Sequence, residues 1–286
     1  MRSFPRFSPV ALLVAFPAVL SAQPASAARA AIPDLKLSYV VPSGWTVPPE
    51  SRAMLEPLAR VHLYRAGSDR ALALVVAGWR DVEALMTGTL ADLKALSGAS
   101  PTLDGPMATA RVGRWTGRAA SVRLTGTGGV PLRSRIVAFA TEHGSTMALV
   151  TVADASMEAA VQQAAEQLLA SVSAAPVTAD AAATARLTGR WRWFTSTSGS
   201  TGSGGSNAET TLQLGADGRF ERRNTSSTYV TGASIEPTDT RDAGQWRAVS
   251  PRLLLLEPAG GAPEVLAYTL EGGRLVIDGK RYLPMR

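Results

Sequence analysis

The nucleophiles and proton-transfer groups of this chain are few, and their spacing determines which reactions it could catalyse. The sequence contains no cysteine and only two histidines, His62 and His143. His62 stands between apolar residues in a strand pattern, His143 precedes a glycine in a turn pattern, and neither has a His or Cys neighbour at metal-ligand spacing. A serine nucleophile needs a base within hydrogen-bond reach, so two isolated histidines argue against a triad. We therefore favour structural roles for both over base or ligand roles, and we predict a protein that is not an enzyme, with no catalytic residue, metal site or cofactor.

Carboxylates could act without histidine, because glycoside hydrolysis needs only two of them. Asp81 falls at a predicted helix start, and Asp217 and Asp278 fall in predicted turns, where each satisfies nearby backbone groups. No pair is flanked by the aromatic residues that a sugar site requires. A hydrolase with an unrecognised carboxylate or serine site is therefore kept only as an alternative.

Arginine is concentrated in one stretch of the chain. Between Asp104 and Glu142 there is no acidic residue. One interpretation is a sheet face for an anionic partner, such as a lipid headgroup, a polyanion or an acidic protein surface. The other, which we favour, is a solvated face whose ion pairs come from elsewhere in the fold. The arginines concerned are Arg111, Arg114, Arg118, Arg123, Arg133 and Arg135.

Aromatic residues cluster in the last third of the chain. Trp191 and Trp193 share one face of a predicted strand, as do Phe220 and Arg222, and Tyr268 lies between leucines at the same spacing. These residues are candidates for an apolar ligand pocket with Arg222 as a polar anchor. The favoured alternative is a barrel core, because a small barrel is usually filled by its own side chains.

The elements that would position these groups fall into two regions. Residues 28–175 read as strands, a helix from Asp81 to about Ser97, a strand meander, and a closing helix that ends near Val172. This order predicts an α+β domain with helices packed on an antiparallel sheet. Residues 176–186 are rich in alanine and are predicted to be a linker.

Residues 187–286 show short alternating apolar runs separated by turn dipeptides. Asp217-Gly218, Gly272-Gly273 and Asp278-Gly279 are strong hairpin signals between such runs. We therefore predict an all-β meander barrel that follows the α+β domain.

Two short motifs resemble known families. The turn Pro42-Ser43-Gly44-Trp45, together with the order of elements and the closing Leu168–Val172 run, looks like the Mog1/PsbP-like fold, which includes DcrB-type envelope proteins. Leu187-Thr188-Gly189-Arg190-Trp191 looks like the opening of lipocalin barrels and also like the first strand of avidin-type barrels. The second resemblance implies that Trp191 seals one barrel end beneath an arginine of the last strand, for which Arg281 is available.

The N-terminus has the pattern of a secretory signal peptide over residues 1–27. Arg2 and Arg6 precede the apolar run Val10–Leu20, and Ala25-Ser26-Ala27 is a small-residue cleavage site without a lipobox cysteine. Loss of the two arginines would leave 27 of the 29 basic residues against 23 acidic ones, a net charge of +4. This small surplus does not indicate nucleic-acid binding. We expect a periplasmic or secreted protein without a transmembrane segment after cleavage.

These observations favour an exported, non-enzymatic binding protein of the cell envelope. Its partner would be a small apolar or anionic ligand or an envelope protein. An alternative is an interaction, assembly or inhibitor module that acts on another envelope protein.

Overall fold

The computed structural model describes residues 28–48, 61–68, 70–79, 81–97, 101–126, 129–198, 204–230, 233–234 and 237–285. The chain forms two compact units, and the division falls after Val177. The fold is mostly β, with three α-helices among the described residues. The predicted signal peptide lies outside the described residues. Within the part of the chain that is described, no helix combines the length and the apolar character needed to cross a bilayer.

The first unit contains two antiparallel sheets. The smaller has the strand order β1-β2-β11, and the larger has the order β3-β4-β5-β10-β9-β8-β6, with β7 also paired to β8. The strands are β1 (Arg29–Ile32), β2 (Leu37–Val40), β3 (Trp45–Thr46), β4 (Val61–Ala66), β5 (Ala71–Trp79), β6 (Thr102–Leu103), β7 (Ala108–Val112), β8 (Trp115–Thr125), β9 (Pro131–Ala140), β10 (Ser145–Ala153) and β11 (Ser173–Ala174).

Helix α1 (Val82–Ser97) covers one face of the larger sheet. The Asp81 carboxylate accepts a hydrogen bond from the Ala84 backbone N–H at 2.8 Å, which satisfies one of the free N–H groups of the first turn. Met86 and Leu93 lie on its apolar stripe and pack in one core with sheet residues such as Val150. The predicted helix start and face are therefore present.

Helix α2 (Glu158–Ala170) covers the opposite face, where it contacts β10 and β2. Its buried side chains are Val161, Ala165, Leu168 and Leu169. Because side chains alternate along a strand, the β10 residues that face α2 are the odd-numbered ones, while Ala148 and Val150 face α1. With two α-helices among its described residues, the first unit fits the predicted α+β class loosely.

The second unit contains a closed antiparallel barrel of eight strands. Neighbours pair in the order β13-β12-β20-β19-β18-β17-β16-β14, and pairing of β13 with β14 closes the ring. Closure removes the free edges that an open sheet would expose. The strands of this unit are β12 (Gly189–Ser198), β13 (Gly204–Leu214), β14 (Arg219–Val230), β15 (Ala233–Ser234, paired only with β14), β16 (Thr238–Ser250), β17 (Leu253–Pro258), β18 (Glu264–Glu271), β19 (Arg274–Ile277) and β20 (Lys280–Met285).

Part of the stretch predicted as a linker is helical. Helix α3 (Ala181–Leu187) begins after Asp180, whose carboxylate accepts a hydrogen bond from Ala183 N–H at 2.9 Å. Ala183 and Leu187, one helical turn apart, are buried in the barrel core. This short helix is hard to predict from its alanine-rich composition. Its apolar face consists of only two residues, and their burial depends on contacts with distant barrel strands.

Candidate functional site

A cleft of about 450 Å³ lies in the first unit. Residues 108–113, which comprise β7 and the start of the following turn, form one wall, and α2 forms the other. Strands β8, β9 and β10 contribute Ala119, Val137 and Leu149 to the surface between the walls. The cleft is therefore bounded by the larger sheet, including its strand β7, and by a helix, and it is partly open to solvent.

Small side chains create the space between these elements. Ala108 and Ala110 lie on the β7 wall, and Ala165 and Ala170 lie on the helix wall. Ala165 is buried and Ala110 is half-buried, so larger side chains at these two positions would narrow the gap. The cleft is thus wide enough for a small molecule, and its lining combines apolar with polar side chains.

Two arginines contribute to the cleft from different elements. Arg135 of β9 is half-buried, and its guanidinium forms no hydrogen bond or ion pair with any residue that the structure describes. Arg111 is exposed on the β7 wall, and its Nε donates to the Gly113 carbonyl oxygen at 3.2 Å. Neither has a carboxylate partner among the described residues. An anionic ligand group could therefore bind Arg135 without displacing an existing ion pair.

The other polar groups of the cleft form a short chain. Gln162 of α2 donates to the Thr151 hydroxyl at 3.1 Å, and that hydroxyl donates to the Arg135 carbonyl oxygen at 3.4 Å. Glu166 lies one helical turn after Gln162 and also lines the cleft. The hydrogen bonds from Gln162 through Thr151 to the Arg135 carbonyl oxygen tie α2 to β10 and β9.

The remaining four arginines of the sequence-predicted anionic face are in ion pairs. Arg123 and Arg133 both contact Asp104, at 2.9 and 2.7 Å. Arg118 contacts Glu83 of α1 at 3.1 Å. Arg118 pairs in register with Ala138, whose side chain lies in the α1 core, so it shares a face with α1, while Arg123 and Arg133 face the other way.

Arg114 belongs to a local cluster with Trp115 and Glu142. Its guanidinium pairs with Glu142 and lies 5.1 Å from the Trp115 ring centroid. The indole N–H of Trp115 also donates to Glu142, and this hydrogen bond is the main reason that the pKa of the Glu142 carboxyl is lowered. The six arginines thus do not form one free cationic face.

The aromatic residues predicted for the barrel lie in or beside its core. Trp191, Phe220 and Tyr268 are buried, and Trp193 packs against them while half-buried. The Tyr268 hydroxyl donates to the Ser250 carbonyl oxygen at 3.1 Å, and burial raises the pKa of Tyr268 to about 12. This arrangement supports the interpretation of these side chains as core.

Arg222 points into the barrel and is only 7 % exposed. Its Nε donates to Asp242 at 2.9 Å, and Nη1 and Nη2 donate to Glu264 at 2.8 and 2.9 Å. Nη2 also donates to Asp242 at 2.5 Å. The hydrogen bonds with Glu264, followed by those with Asp242, raise the pKa of Arg222 above its ordinary value. Most donors of Arg222 are therefore occupied within the protein, which leaves little capacity to anchor a ligand.

The lipocalin resemblance implied that Arg281 covers Trp191, but the structure places a different cation over a different tryptophan. Lys280 Nζ lies 4.4 Å from the ring centroid of Trp193. Arg281 is exposed, whereas the next residue, Tyr282, is buried. Alternation along β20 therefore places Arg281 on the outside of the barrel, and Trp191 instead donates its indole N–H to the Leu187 carbonyl oxygen at 2.8 Å.

His62 takes part in a polar cluster that joins β4 to β2. Its Nδ1 lies 2.5 Å from the Tyr39 hydroxyl, which is 2.7 Å from the Tyr64 hydroxyl. Burial lowers the pKa of His62 and raises the pKa of both tyrosines. His143 lies in the turn before β10, with Nε2 3.6 Å from Glu142. Both histidines thus have protein partners in the structure.

Comparison with known protein families and with curated proteins finds no match to this chain. In the sequence, a sheet-rich unit precedes a closed antiparallel barrel of eight strands. The strand number and closure of this barrel are consistent with a lipocalin-like barrel.

Sequence reasoning did not identify Thr151, Gln162 or Glu166 as cleft residues. Gln162 and Glu166 are four positions apart in the sequence, so they lie along one side of α2. That spacing was visible in the sequence, but nothing local indicated that α2 would stand opposite β7.

Proposed function

We propose that this chain is an exported, non-enzymatic binding protein whose ligand site is the cleft between β7 and α2. The ligand class is a small amphiphile with an apolar body and one carboxylate or phosphate group. The observation that carries the proposal is the half-buried residue Arg135, whose guanidinium has no partner among the described residues and which lines a cleft of mixed apolar and polar character.

The size of the cleft and the arginine in its lining support this function. Small-molecule sites are commonly concave, about 300–1,000 Å³ in volume, and apolar apart from a few polar groups that fix orientation. Arginine suits such a role, because its planar guanidinium binds a carboxylate or phosphate through two parallel hydrogen bonds. Glu166 on the helix wall would repel an anionic group, so the ligand acid would bind on the β9 side of the cleft.

The sequence supports the exported location, since residues 1–27 have the pattern of a signal peptide. The Gly189-x-Trp191 opening of β12 supports assignment of the second unit as lipocalin-like. The Pro42–Trp45 turn, in which Gly44 has a φ of 82°, supports a Mog1/PsbP-like first unit. These assignments agree with a binding role in the envelope.

Native mass spectrometry of the mature protein, isolated gently from its own host, tests the proposal. We expect a bound small molecule on the wild type that is lost from Arg135→Gln. Arg133→Gln is the matched control, because Arg133 lies two residues away on the same strand face but is exposed and paired with Asp104. Wild-type protein without any bound molecule, or equal retention by Arg135→Gln, would overturn the proposal.

A second measurement uses defined probes. We expect octanoate to raise the melting temperature of the wild type more than octanol does, since the two share an alkyl chain and differ in charge. That difference should disappear in Arg135→Gln and persist in Arg133→Gln. Equal effects of octanoate and octanol on the wild type would contradict an anionic ligand.

A further inference from the structure

The outer side of the barrel carries an exposed apolar patch on β12 and β20. Phe194 is 55 % exposed, Leu283 is 54 % exposed and Met285 is 36 % exposed. The first two are the most exposed large apolar side chains among the described residues. Folded proteins seldom leave such side chains clustered on the surface unless they contact a partner.

Arginines lie next to these apolar residues on the same outer face of β12 and β20. Arg190 pairs with Met285, and Arg192 pairs with Leu283. Phe194 lies two residues after Arg192, and Arg281 lies two residues before Leu283, so both continue the same outer face. We call these six residues the β12/β20 face: Arg190, Arg192, Phe194, Arg281, Leu283 and Met285.

The β12/β20 face has a positive surplus. Arg192 donates to Glu209 of β13 at 2.8 Å, and its guanidinium carbon lies 5.9 Å from the Phe194 ring centroid. Arg190 and Arg281 have no carboxylate partner among the residues that the structure describes, and both are exposed. Two guanidinium groups are therefore available to an anionic partner beside exposed apolar side chains.

We propose that the β12/β20 face docks onto the surface of an anionic phospholipid bilayer. At a bilayer interface, apolar side chains enter the acyl boundary, while the long side chains of neighbouring arginines extend back to the phosphates of the headgroups. Protein interfaces instead tend to have an apolar centre surrounded by a polar rim. On this face each apolar residue stands beside an arginine, so the lipid interface is the better match.

The attraction has two components that can be separated. Apolar insertion depends on Phe194 and Leu283 and is not screened by salt. The electrostatic part depends on Arg190 and Arg281 and weakens as salt shortens the range of charge interactions. The proposal does not rest on the cleft, so failure of either proposal leaves the other standing.

Co-flotation of the mature full-length protein with lipid vesicles tests this inference. We expect binding to phosphatidylcholine vesicles that contain roughly 30 % phosphatidylglycerol and much weaker binding to phosphatidylcholine alone. Binding should fall by roughly thirty-fold in Arg190→Gln/Arg281→Gln, since each arginine near an anionic surface contributes about 1 kcal/mol. It should fall by roughly ten-fold or more in Phe194→Ser/Leu283→Ser through loss of apolar burial. Raising the salt from about 0.05 to about 0.5 M should weaken the wild type and the serine variant but scarcely change the glutamine variant.

Matched control variants come from elsewhere on the surface. Leu72→Ser/Val130→Ser removes exposed apolar side chains of the first unit, and Arg219→Gln/Arg252→Gln removes exposed arginines of the second unit. These controls should bind anionic vesicles as the wild type does. Equal binding to neutral and anionic vesicles, no binding to either, or unchanged binding in both test variants would overturn the inference. The inference would also be overturned if the protein failed to float with vesicles and a partner protein were crosslinked to the β12/β20 face instead.

Discussion

Inside the barrel, Arg222 and Glu264 form a two-point ion pair in which Nη1 and Nη2 each donate to one carboxylate oxygen, at 2.8 and 2.9 Å. Asp242, the register partner of Arg222 on β16, binds the other side of the guanidinium. The pair joins β14 to β18, which are separated by two strands around the barrel. The charges compensate one another, so removing only the cation would leave two carboxylates facing the interior.

Arg222→Met should therefore lower the free energy of unfolding by about 2 kcal/mol. We place the loss below the roughly 3–5 kcal/mol typical of a broken buried pair, because the side chains of Asp242 and Glu264 are 37 % and 30 % exposed. Urea unfolding followed by tryptophan fluorescence measures the change. The control is Arg223→Met on the outer face of the same strand, where Arg223 pairs with exposed Asp239 and should matter much less. Equal losses in the two variants would show that burial of the pair is unimportant.

Gly244→Ala should destabilise the barrel, because β16 and β17 approach closely at this position. A Cβ atom on Gly244 would overlap the backbone carbonyl oxygen of Glu257 and would lie 2.8 Å from Pro258 Cα. Backbone atoms cannot move aside as a flexible side chain can, so we expect a loss of about 2 kcal/mol or more. Thermal unfolding of Gly244→Ala and Gly260→Ala measures it, since a Cβ on Gly260 meets nothing within 4 Å. A melting temperature unchanged from the wild type in Gly244→Ala would contradict the close approach.

Leu187→Ala should cost about 3 kcal/mol, since Leu187 is fully buried in the barrel core and its removal leaves a cavity. Asp180→Ala should cost about 1 kcal/mol through loss of the helix cap. Chemical denaturation checks both values, with Ala182→Ser on the exposed side of α3 as control. If residues 180–187 were a passive linker, all three variants would match the wild type.

Acidification should destabilise the first unit through His62. Burial lowers the pKa of His62 in the folded state below its unfolded value of about 6.5. The unfolded chain therefore binds the proton first, and the stabilising contribution present above about pH 6.5 is lost as the pH falls toward the folded pKa. Urea midpoints between pH 7.5 and 5 should fall less steeply in His62→Gln, whose amide can still bond Tyr39. An NMR titration of the His62 ring with a midpoint at or above 6.5 would refute this explanation.

Local patterns predicted many elements of this fold. Asp81 and the apolar spacing that follows it specify α1. Asp278 and Gly279, which both have positive φ, form the predicted turn between β19 and β20. Such signals depend on residues close together in the sequence, so they can be read without knowledge of distant contacts.

The partners of the arginines could not be predicted in this way. Arg133 binds Asp104, which is 29 residues away, because β6, β8 and β9 lie side by side. Arg123 binds the same carboxylate, while Arg135, two residues from Arg133, is left without a partner among the described residues. Sequence spacing alone does not distinguish a paired arginine from an unpaired one.

Three features could be predicted from the sequence alone: the small number of proton-transfer groups, the strands of alternating apolar and polar residues in the last third, and the helix after Asp81. They could be predicted because composition and short-range periodicity do not depend on contacts between distant segments. Only the tertiary structure closed the barrel through β13 and β14, placed Arg222 between two carboxylates and set α2 opposite β7. These outcomes depend on strand register and on packing between distant segments, where a shift of one residue would turn every side chain to the other face of its sheet.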